Sequence, residues 1–408
     1  IDDPQKHKEN SILFAKTYIP IISNNFRKKT IENSKIKIGY FSADLNAHAV
    51  SQLINKMLRI HDKKKFQIYC YAFGLKEKDE LHINIKNNVN VYRDIKDISD
   101  HEAALVARKD EIDIAIDLQG YTGNQRAGIF ANRAAPIQIN YLGYPGTMGA
   151  EFIDYIIADE ILIPEKNQKY YLEKIIYMPD SYQVQDDELK EAEIIPSKTE
   201  LGLPEDCFIF CAINNNYKIL PEVFNSWMRI LDKVEKSVLW LLETNKVAKN
   251  NLLREAELKK IGSDRIVFAK KTSYDIYLSQ LKCADLFLDT FVYNGGATAS
   301  NALWMGLPVL TKKGQSYPAR MASSLLHSIG LPELITNSTV AYEKLAIELA
   351  TNPNKLKYIK LKLKENRLQK ALFNTEIFTR NFEKGLEMVY QNYVEGNNPT
   401  NIYVGKKT

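Results

Sequence analysis

Cysteine is scarce in this chain of 408 residues, and the few cysteines present form no recognisable pattern. They do not pair as CxxC, no histidine follows at zinc-ligand spacing, and each lies in an apolar run. This argues against a disulfide framework and against a zinc site. Small buried thiols in a reducing compartment are the simpler interpretation, so we expect a cytoplasmic protein. The four positions are Cys70, Cys207, Cys211 and Cys283.

Long apolar runs and a strong charge of one sign are also missing. No stretch reaches the roughly 18–20 apolar residues of a membrane-spanning helix, and we identify no signal peptide. The net charge of +5, from 55 basic and 50 acidic residues, is too small an excess to require a nucleic-acid partner. We therefore expect neither a membrane nor a nucleic-acid partner.

Short β-rich runs alternate with helical patterns in two blocks, which predicts two α/β domains with parallel sheets buried on both faces. In the first block the predicted strands are Ile36–Ser42, Phe66–Tyr71, Ile112–Leu118, Ile137–Leu142 and Tyr155–Asp159, and the helices are Val50–His61, Asp100–Arg108 and Asn124–Asn132. In the second block the strands are Phe208–Ile213, Ser237–Leu242, Arg265–Ala269, Leu286–Asp289 and Pro308–Thr311, and the helices are Pro221–Val234, Ser273–Cys283 and Ala297–Met305.

Polar stretches and terminal helices set the predicted domain limits. The acidic, proline-containing stretch Val184–Pro204 is typical of a linker between the blocks, a helix is predicted at Lys8–Ile22, and only the tail after Glu395 is typical of disorder. The predicted segments are an N-terminal helical segment (1–35), a first α/β domain (36–190), a second α/β domain (191–375), and a C-terminal helix and tail (376–408).

Polar side chains follow the predicted strands of the first block. Asp44 and His48 come after the first strand, where an imidazole can take a proton or donate to an oxyanion. The alternative is that Asp44 caps the next helix and His48 only packs. Gln119 and Tyr121 follow the strand that ends at Leu118. The turn Leu142–Gly149, with three glycines and a proline, indicates either a close backbone approach or an ordinary β-turn.

The second block offers groups that suit a phosphate. Strand Phe208–Ile213 leads into three asparagines, Tyr217 and Lys218, whose ammonium can neutralise a departing diphosphate. Strand Leu286–Asp289 leads to glycines followed by a helix start, and free backbone N–H groups there can bind an anion. A plain helix start is the alternative. Neither the GxGxxG fingerprint nor a Walker P-loop is present in this segment.

These motifs, in this order, resemble the O-GlcNAc transferases and SPINDLY proteins of glycosyltransferase family 41. The resemblance rests on Gly39–His48, Ala135–Thr147, Asn214–Lys218 and Leu286–Trp304, and extends from residue 36 to about residue 395. It implies the GT-B fold, in which two Rossmann-like domains face each other across a cleft, with flanking helices. It also implies inverting transfer of a sugar, by default GlcNAc from UDP-GlcNAc, to Ser or Thr of an acceptor protein, with no metal and no cofactor.

The resemblance also implies a set of site residues. The catalytic group is His48, Lys218 and Asp44. The group that binds the nucleotide-sugar donor is Asn215, Tyr217, Lys218, Tyr274, Tyr277, Tyr293, Gly295, Gly296, Ala297, Thr298 and Asn301. The sugar and acceptor pocket is His7, Gln119, Tyr121, Leu142, Gly143 and Pro145.

The departures from the family pattern lie at the nucleoside end of the site. Gly296, Ala297 and Asn301 stand where O-GlcNAc transferases carry His, Thr and Asp, and Tyr274, Tyr277 and Gln280 stand where they carry Lys, His and Arg. Another donor therefore stays open, namely a CMP-linked nonulosonic acid transferred to flagellin, or GDP-fucose. Transfer to Asn, or a non-catalytic member that binds protein partners, is a further alternative.

Overall fold

A computed structural model describes residues 1–20, 35–74, 79–190 and 192–405. The chain divides into two compact units. The N-terminal unit comprises residues 3–187 and the stretch from Asn374 onward, and the C-terminal unit comprises residues 188–373 with residues 1–2. The stretch 376–408, separated in the sequence-based division, thus belongs to the N-terminal unit.

The elements follow one another in the order expected of two α/β units. The N-terminal unit begins with α1 (Pro4–Tyr18), β1 (Ile36–Ser42), α2 (Ala49–Ile60), β2 (Phe66–Ala72), α3 (Glu80–Asn88), β3 (Val91–Asp94), α4 (Asp100–Lys109), β4 (Ile114–Asp117), α5 (Gly128–Ala131), β5 (Ile137–Asn140), β6 (Tyr155–Ala158) and β7 (Lys174–Tyr177). The C-terminal unit contains β8 (Phe208–Ala212), α6 (Pro221–Lys233), β9 (Ser237–Leu242), α7 (Lys246–Leu258), β10 (Ile266–Ala269), α8 (Tyr274–Gln280), β11 (Leu286–Leu288), α9 (Ala297–Trp304), β12 (Val309–Lys312), α10 (Met321–Ser328), β13 (Ile335–Thr336), α11 (Thr339–Thr351) and α12 (Pro353–Gln369). The N-terminal unit is completed by α13 (Thr375–Val394) and β14 (Ile402–Tyr403).

Each unit contains one parallel sheet with the strand order of a Rossmann-type domain. The N-terminal sheet runs β14-β7-β6-β5-β4-β1-β2-β3, and the C-terminal sheet runs β10-β9-β8-β11-β12-β13. The strand order reverses between β1 and β4 in the first sheet and between β8 and β11 in the second. Ligands of such sheets bind outside the carboxyl ends of the strands at this reversal. The prediction of parallel sheets in an α/β fold is confirmed.

The C-terminal helix α13 is fastened to the N-terminal unit by a buried polar network. Glu383 on α13 contacts the Nδ1 atom of His61 at 2.9 Å and accepts a hydrogen bond from the backbone N–H of Asp62. The Nε2 atom of His61 lies 2.8 Å from the hydroxyl of Tyr40 on β1. Because all these groups are satisfied inside the protein, they hold α13 on this unit rather than destabilise it.

Three predicted segments differ from the structure. The first helix begins at Pro4, because Asp3 caps it by accepting from the backbone N–H groups at positions 5 and 6, and its predicted end falls in 21–34, outside the described residues. The helix predicted at Asn124–Asn132 is helical only over Gly128–Ala131, since Asn124 has a left-handed φ of 59°. The prediction of disorder after Glu395 is wrong for Ile402–Tyr403, because this segment forms a strand that pairs with β7.

In the part of the chain that the structure describes, we find no helix with the length and apolarity needed to cross a membrane.

Candidate functional site

The predicted site residues form two groups, one in each unit, and most of them follow the carboxyl ends of strands. In the C-terminal unit they follow β8 and β11, except for Tyr274 and Tyr277, which lie on α8 after the edge strand β10. In the N-terminal unit they follow β1, β4 and β5, except for His7, which lies on α1 and is partly exposed. The sequence thus placed these groups at the edge of each sheet where ligands bind.

Lys218 is the cation of the C-terminal group. Its ammonium donates a 2.9 Å hydrogen bond to the backbone oxygen of Asn294 and lies 4.0 Å from the ring centre of Tyr293. The ring face of tyrosine attracts a cation, so these two contacts fix where the ammonium sits. Burial lowers the pKa of Lys218 to about 8, although the nearby carboxylate of Asp289 opposes that change. Lys218 is therefore a poorly solvated cation that an anionic ligand would stabilise.

Asp289, a residue that the sequence analysis gave no role, is the counter-charge of Lys218. It is fully buried at the end of β11 and accepts from the backbone N–H of Gly295 and from the hydroxyl of Thr311, each at 2.7 Å. Burial raises the pKa of this carboxyl to about 7. Asp289 thus anchors the turn that leads into α9 and acts electrostatically on the ammonium that the turn holds.

The start of α9 is arranged to receive an anion. Gly296 is the N-cap residue, and no side chain caps the helix. A Cβ atom on Gly295 would lie 3.1 Å from the backbone nitrogen of Ala299, so the turn is tightly packed against the helix. Thr298 donates to the side-chain oxygen of Asn214 at 3.0 Å, while the buried Nδ2 of Asn214 makes no hydrogen bond within the described residues. Free helix N–H groups and an amide donor suit a phosphate.

Tyrosines and an asparagine line the nucleoside end of the predicted donor site. Tyr274 donates to the side-chain oxygen of Asn301 at 3.1 Å, and the rings of Tyr274 and Tyr277 lie 6.0 Å apart. Burial raises the pKa of the Tyr277 hydroxyl. Asn301 and Gln280 are both buried. The Tyr274 ring and the amide of Asn301 are thus brought together, whereas a carboxylate is missing from this position.

Two further predicted donor residues lie beside Lys218. Tyr217 is 63% exposed, and its ring centre is 6.1 Å from that of Tyr293. The backbone oxygen of Asn215 accepts from the backbone N–H of Lys218 at 3.0 Å, which closes the turn after β8. Ala297 is the first residue of α9. The predicted donor residues therefore all lie in the C-terminal unit, with Tyr274 and Tyr277 after β10 and the others after β8 and β11.

His48 and Asp44 are in contact in the N-terminal unit. The Nδ1 atom of His48 lies 3.5 Å from a carboxylate oxygen of Asp44, and the imidazole is about half exposed. His48, rather than Asp44, is the N-cap of α2, because its Nδ1 accepts from the backbone N–H of Val50 at 3.3 Å. A half-exposed imidazole at a strand end can exchange a proton with a ligand.

Gln119 bonds to the neighbouring strand. Its side-chain oxygen accepts from the hydroxyl of Ser42 and from the backbone N–H of Ala43, each at 3.1 Å. Its side-chain nitrogen donates to the hydroxyl of Thr122 and to the backbone oxygen of Gly123. The amide is buried and fully bonded, so it joins the end of β4 to the end of β1. A direct contact of Gln119 with a sugar stays a prediction.

The turn after β5 is strained and closely packed. Leu142 has a left-handed φ of 72°, which costs a residue with a side chain about 1–2 kcal/mol. A Cβ atom on Gly143 would lie 1.9 Å from the backbone oxygen of Leu118, so only glycine fits there. Pro145 is partly exposed, and the hydroxyl of Tyr121 donates to the backbone oxygen of Met148 at 2.8 Å. Strain of this kind is typical of ligand-binding turns.

A buried acid at the end of β4 was also missed. Asp117 accepts from the backbone N–H groups of Gln119 and Gly120, each at 2.9 Å, and burial raises its pKa to about 6. The available signal was a carboxylate that ends an apolar strand, as at Asp289. Among the residues with described positions, no three His, Cys, Asp or Glu side chains are grouped to hold a metal ion.

Comparisons with known proteins show the family of this chain. The sequence pattern of Glycosyl transferase family 41 matches residues 11–192 and 185–382. A probable UDP-N-acetylglucosamine–peptide N-acetylglucosaminyltransferase SEC of Arabidopsis thaliana is 33% identical over 91% of this chain and 38% of its own length. A probable UDP-N-acetylglucosamine–peptide N-acetylglucosaminyltransferase SPINDLY of Hordeum vulgare is 29% identical over 96% of this chain and 42% of its own length.

A solved structure extends the likeness to the whole fold. The structure of an O-GlcNAc transferase from Thermobaculum terrenum matches with a TM-score of 0.87 and 25% identity, over 97% of this chain and 76% of that chain. The predicted GT-B fold is thereby confirmed. This chain spans about two fifths of the length of the curated relatives it matches. Two stretches of the family pattern together cover most of its residues, and the chain therefore belongs to glycosyltransferase family 41.

Proposed function

We propose that this chain transfers a sugar from a nucleotide-diphosphate donor to a hydroxyl group of an acceptor protein, with UDP-GlcNAc as the default donor. The observation that carries the proposal is the partly buried ammonium of Lys218, held at the turn that starts α9. A partly buried cation next to free helix N–H groups suits the diphosphate of such a donor. The relatives named as UDP-N-acetylglucosamine–peptide N-acetylglucosaminyltransferases support both donor and acceptor.

In the proposed reaction, the acceptor hydroxyl oxygen of Ser or Thr forms a bond to the anomeric carbon from the face opposite the nucleotide. The bond from that carbon to the phosphate oxygen breaks, its electron pair stays on the phosphate, and the configuration inverts. Lys218 and the free backbone N–H groups in the first turn of α9 stabilise the charge that develops on the phosphate. His48 takes the hydroxyl proton. No step requires a metal ion, because these cationic and dipolar groups carry the phosphate charge.

The residues at the nucleoside end of the site leave other donor nucleotides to test. The relatives suggest UDP, but Asn301 offers an amide that is already bonded to Tyr274. We would titrate the protein with UDP, GDP and CMP by calorimetry, with their common sugar conjugates alongside. Tightest binding of UDP and UDP-GlcNAc supports the default donor. Preference for CMP or GDP moves the donor to a CMP-nonulosonic acid or GDP-fucose, and no binding by any of them contradicts the proposed transferase function.

The affinity for UDP should fall as the pH rises through the pKa of Lys218. Since the diphosphate binds the charged ammonium, the affinity for UDP is highest below about pH 8 and falls as the pH rises above that value. Between about pH 8 and pH 9 we expect up to a 10-fold increase in the dissociation constant. Calorimetry in two buffers of different ionisation enthalpy should also show proton uptake on binding near pH 8. The Lys218→Met variant should lose this pH dependence, and a wild-type affinity constant from about pH 7 to pH 9 contradicts the expectation.

A further inference from the structure

One ring nitrogen of His48 is contacted by two groups that require opposite protonation states. Its Nδ1 atom is 3.3 Å from the backbone nitrogen of Val50 and 3.5 Å from the Oδ2 atom of Asp44. The N–H of Val50 needs a lone pair on Nδ1, whereas the carboxylate of Asp44 needs a proton there. A neutral imidazole carries one proton, so the stronger contact decides which nitrogen holds it.

The position of that proton decides what the half-exposed imidazole can do. With the proton on Nδ1, the Nε2 atom has a free lone pair and can accept a proton from a hydroxyl. With the proton on Nε2, that atom can only donate a hydrogen bond. The Nε2 atom of neutral His48 is therefore a base in one tautomer and a hydrogen-bond donor in the other.

The carboxylate should be the stronger of the two contacts. The 3.5 Å separation from Asp44 is that of an ion pair and exceeds an ordinary hydrogen bond, but the full negative charge of the carboxylate favours a proton on the ring nitrogen beside it. The side chain of Asp44 is 22% exposed, which shields the contact partly from water. We propose that Asp44 is a positioning residue, which draws the proton of His48 to Nδ1 and leaves Nε2 as the basic atom. The catalytic consequence rests on the proposed function, whereas the position of the proton is a property of the folded chain alone.

Buried hydroxyl groups hold Asp44 in place for this task. Its backbone N–H donates to the hydroxyl of Ser42 at 2.9 Å, and its backbone oxygen accepts from the hydroxyl of Ser51 at 2.6 Å. The Ser42 hydroxyl donates onward to the side-chain oxygen of Gln119. Ser42 and Ser51 are fully buried and Gln119 is almost so, and both backbone groups of Asp44 are thereby fixed.

Gln119 is itself held on both sides. Its side-chain nitrogen donates to Thr122 at 2.9 Å and to the oxygen of Gly123 at 2.6 Å, and its backbone N–H donates to Asp117 at 2.9 Å. The amide cannot rotate without losing four hydrogen bonds at once. A continuous hydrogen-bonded path thus runs from Asp117 through Gln119 and Ser42 to the backbone N–H of Asp44, so Gln119 helps to fix the backbone that carries the Asp44 carboxylate.

The test reads the protonation of the ring nitrogens directly by NMR. The full chain, labelled with ¹⁵N-histidine, is measured at about pH 8.5, roughly two units above the ordinary histidine pKa. Among six histidines, the signals of His48 are those absent from the His48→Gln variant. We expect the proton of wild-type His48 on Nδ1, and in Asp44→Asn on Nε2, because the N–H of Val50 then acts without an opposing carboxylate.

Kinetics of the same Asp44→Asn variant complete the test. We expect kcat to fall by roughly 10–100-fold while the KM for the donor is unchanged. Gln119→Met, which removes the bonds to Ser42 and Ala43, should shift the His48 signals part of the way. Ser237→Ala is the control, because it also removes a buried hydroxyl bond, to the oxygen of Val234, but in the C-terminal unit.

The nitrogen signals decide the inference whether or not transfer is observed. A wild-type proton on Nε2, or His48 signals that do not change in Asp44→Asn, overturns it. If the signals change as expected while His48→Gln transfers sugar at the wild-type rate, the placement of the proton stands and the proposed role of His48 as base fails.

Discussion

Replacing Lys218 by methionine should lower kcat by about 10²–10³-fold, the typical effect of removing one group that stabilises a developing negative charge. The ammonium is held by the oxygen of Asn294 and by the ring of Tyr293, so the variant loses a positive charge that has a defined position beside the start of α9. Asp289 keeps its bonds from Gly295 and Thr311 in the variant, which limits the loss of stability. Steady-state kinetics together with thermal melting measure both effects.

Lys312→Met is a matched control in the same unit. Lys312 also lies over an aromatic ring, 4.1 Å from the centre of Phe291, and pairs with Glu222 at 2.7 Å. Its ammonium bonds to Glu222 and Thr339, which have no role in the proposed site, so its loss should affect the melting temperature and leave kcat near the wild-type value. If Lys218→Met melts far below Lys312→Met and its loss of activity only follows unfolding, the catalytic role of Lys218 is wrong.

Gly143→Ala should severely disrupt the turn after β5. The added Cβ atom would lie 1.9 Å from the backbone oxygen of Leu118, so one of two backbone segments has to move. Forced repacking of this kind costs about 3 kcal/mol or more. In a unit of this size that corresponds to a fall in melting temperature of about 6–12 °C. Because the turn adjoins Gln119, transfer activity should fall as well.

Gly146→Ala is the control for this prediction. In the same turn, a Cβ atom on Gly146 meets the ring of Tyr144 at 3.4 Å, an ordinary contact distance. We expect its melting temperature within about 2 °C of the wild-type value, which corresponds to less than 1 kcal/mol. Equal melting temperatures for the two alanine variants would show that the close approach at Gly143 is not required.

The strands that carry the site could be predicted from the sequence because they are buried on both faces. Strands β1, β4, β8 and β11 lie in the middle of their sheets, and such strands form near-continuous apolar runs. The edge strands β3 and β14 were missed, since β3 is half exposed with a polar sequence and β14 has only two residues. Helix α7 was missed because it buries only Ala256 and lacks an apolar stripe.

For the candidate site, the sequence predicted that its residues follow strand ends, but it did not predict the hydrogen bonds and ion pairs that they make. Lys218 and the start of α9 follow predicted strand ends, and such ends carry ligand groups in parallel sheets. The pairing of Lys218 with Asp289 depends on two segments 71 positions apart in the chain, which no local pattern reveals. Gln119 shows the same limit, because only the fold reveals that its amide bonds to Ser42 rather than remaining free.

The most direct test of the proposed function is sugar transfer itself. The purified chain would be incubated with isotope-labelled UDP-GlcNAc and a library of Ser- and Thr-containing peptides, and modified peptides would be identified by mass spectrometry, with Lys218→Met in parallel. With the wild-type protein we expect release of UDP and labelled sugar on Ser or Thr, and with the variant a yield at least 100-fold lower. The proposed function is contradicted if no peptide is labelled from UDP-GlcNAc or from CMP- and GDP-linked donors. It is also contradicted if both proteins label the peptides equally.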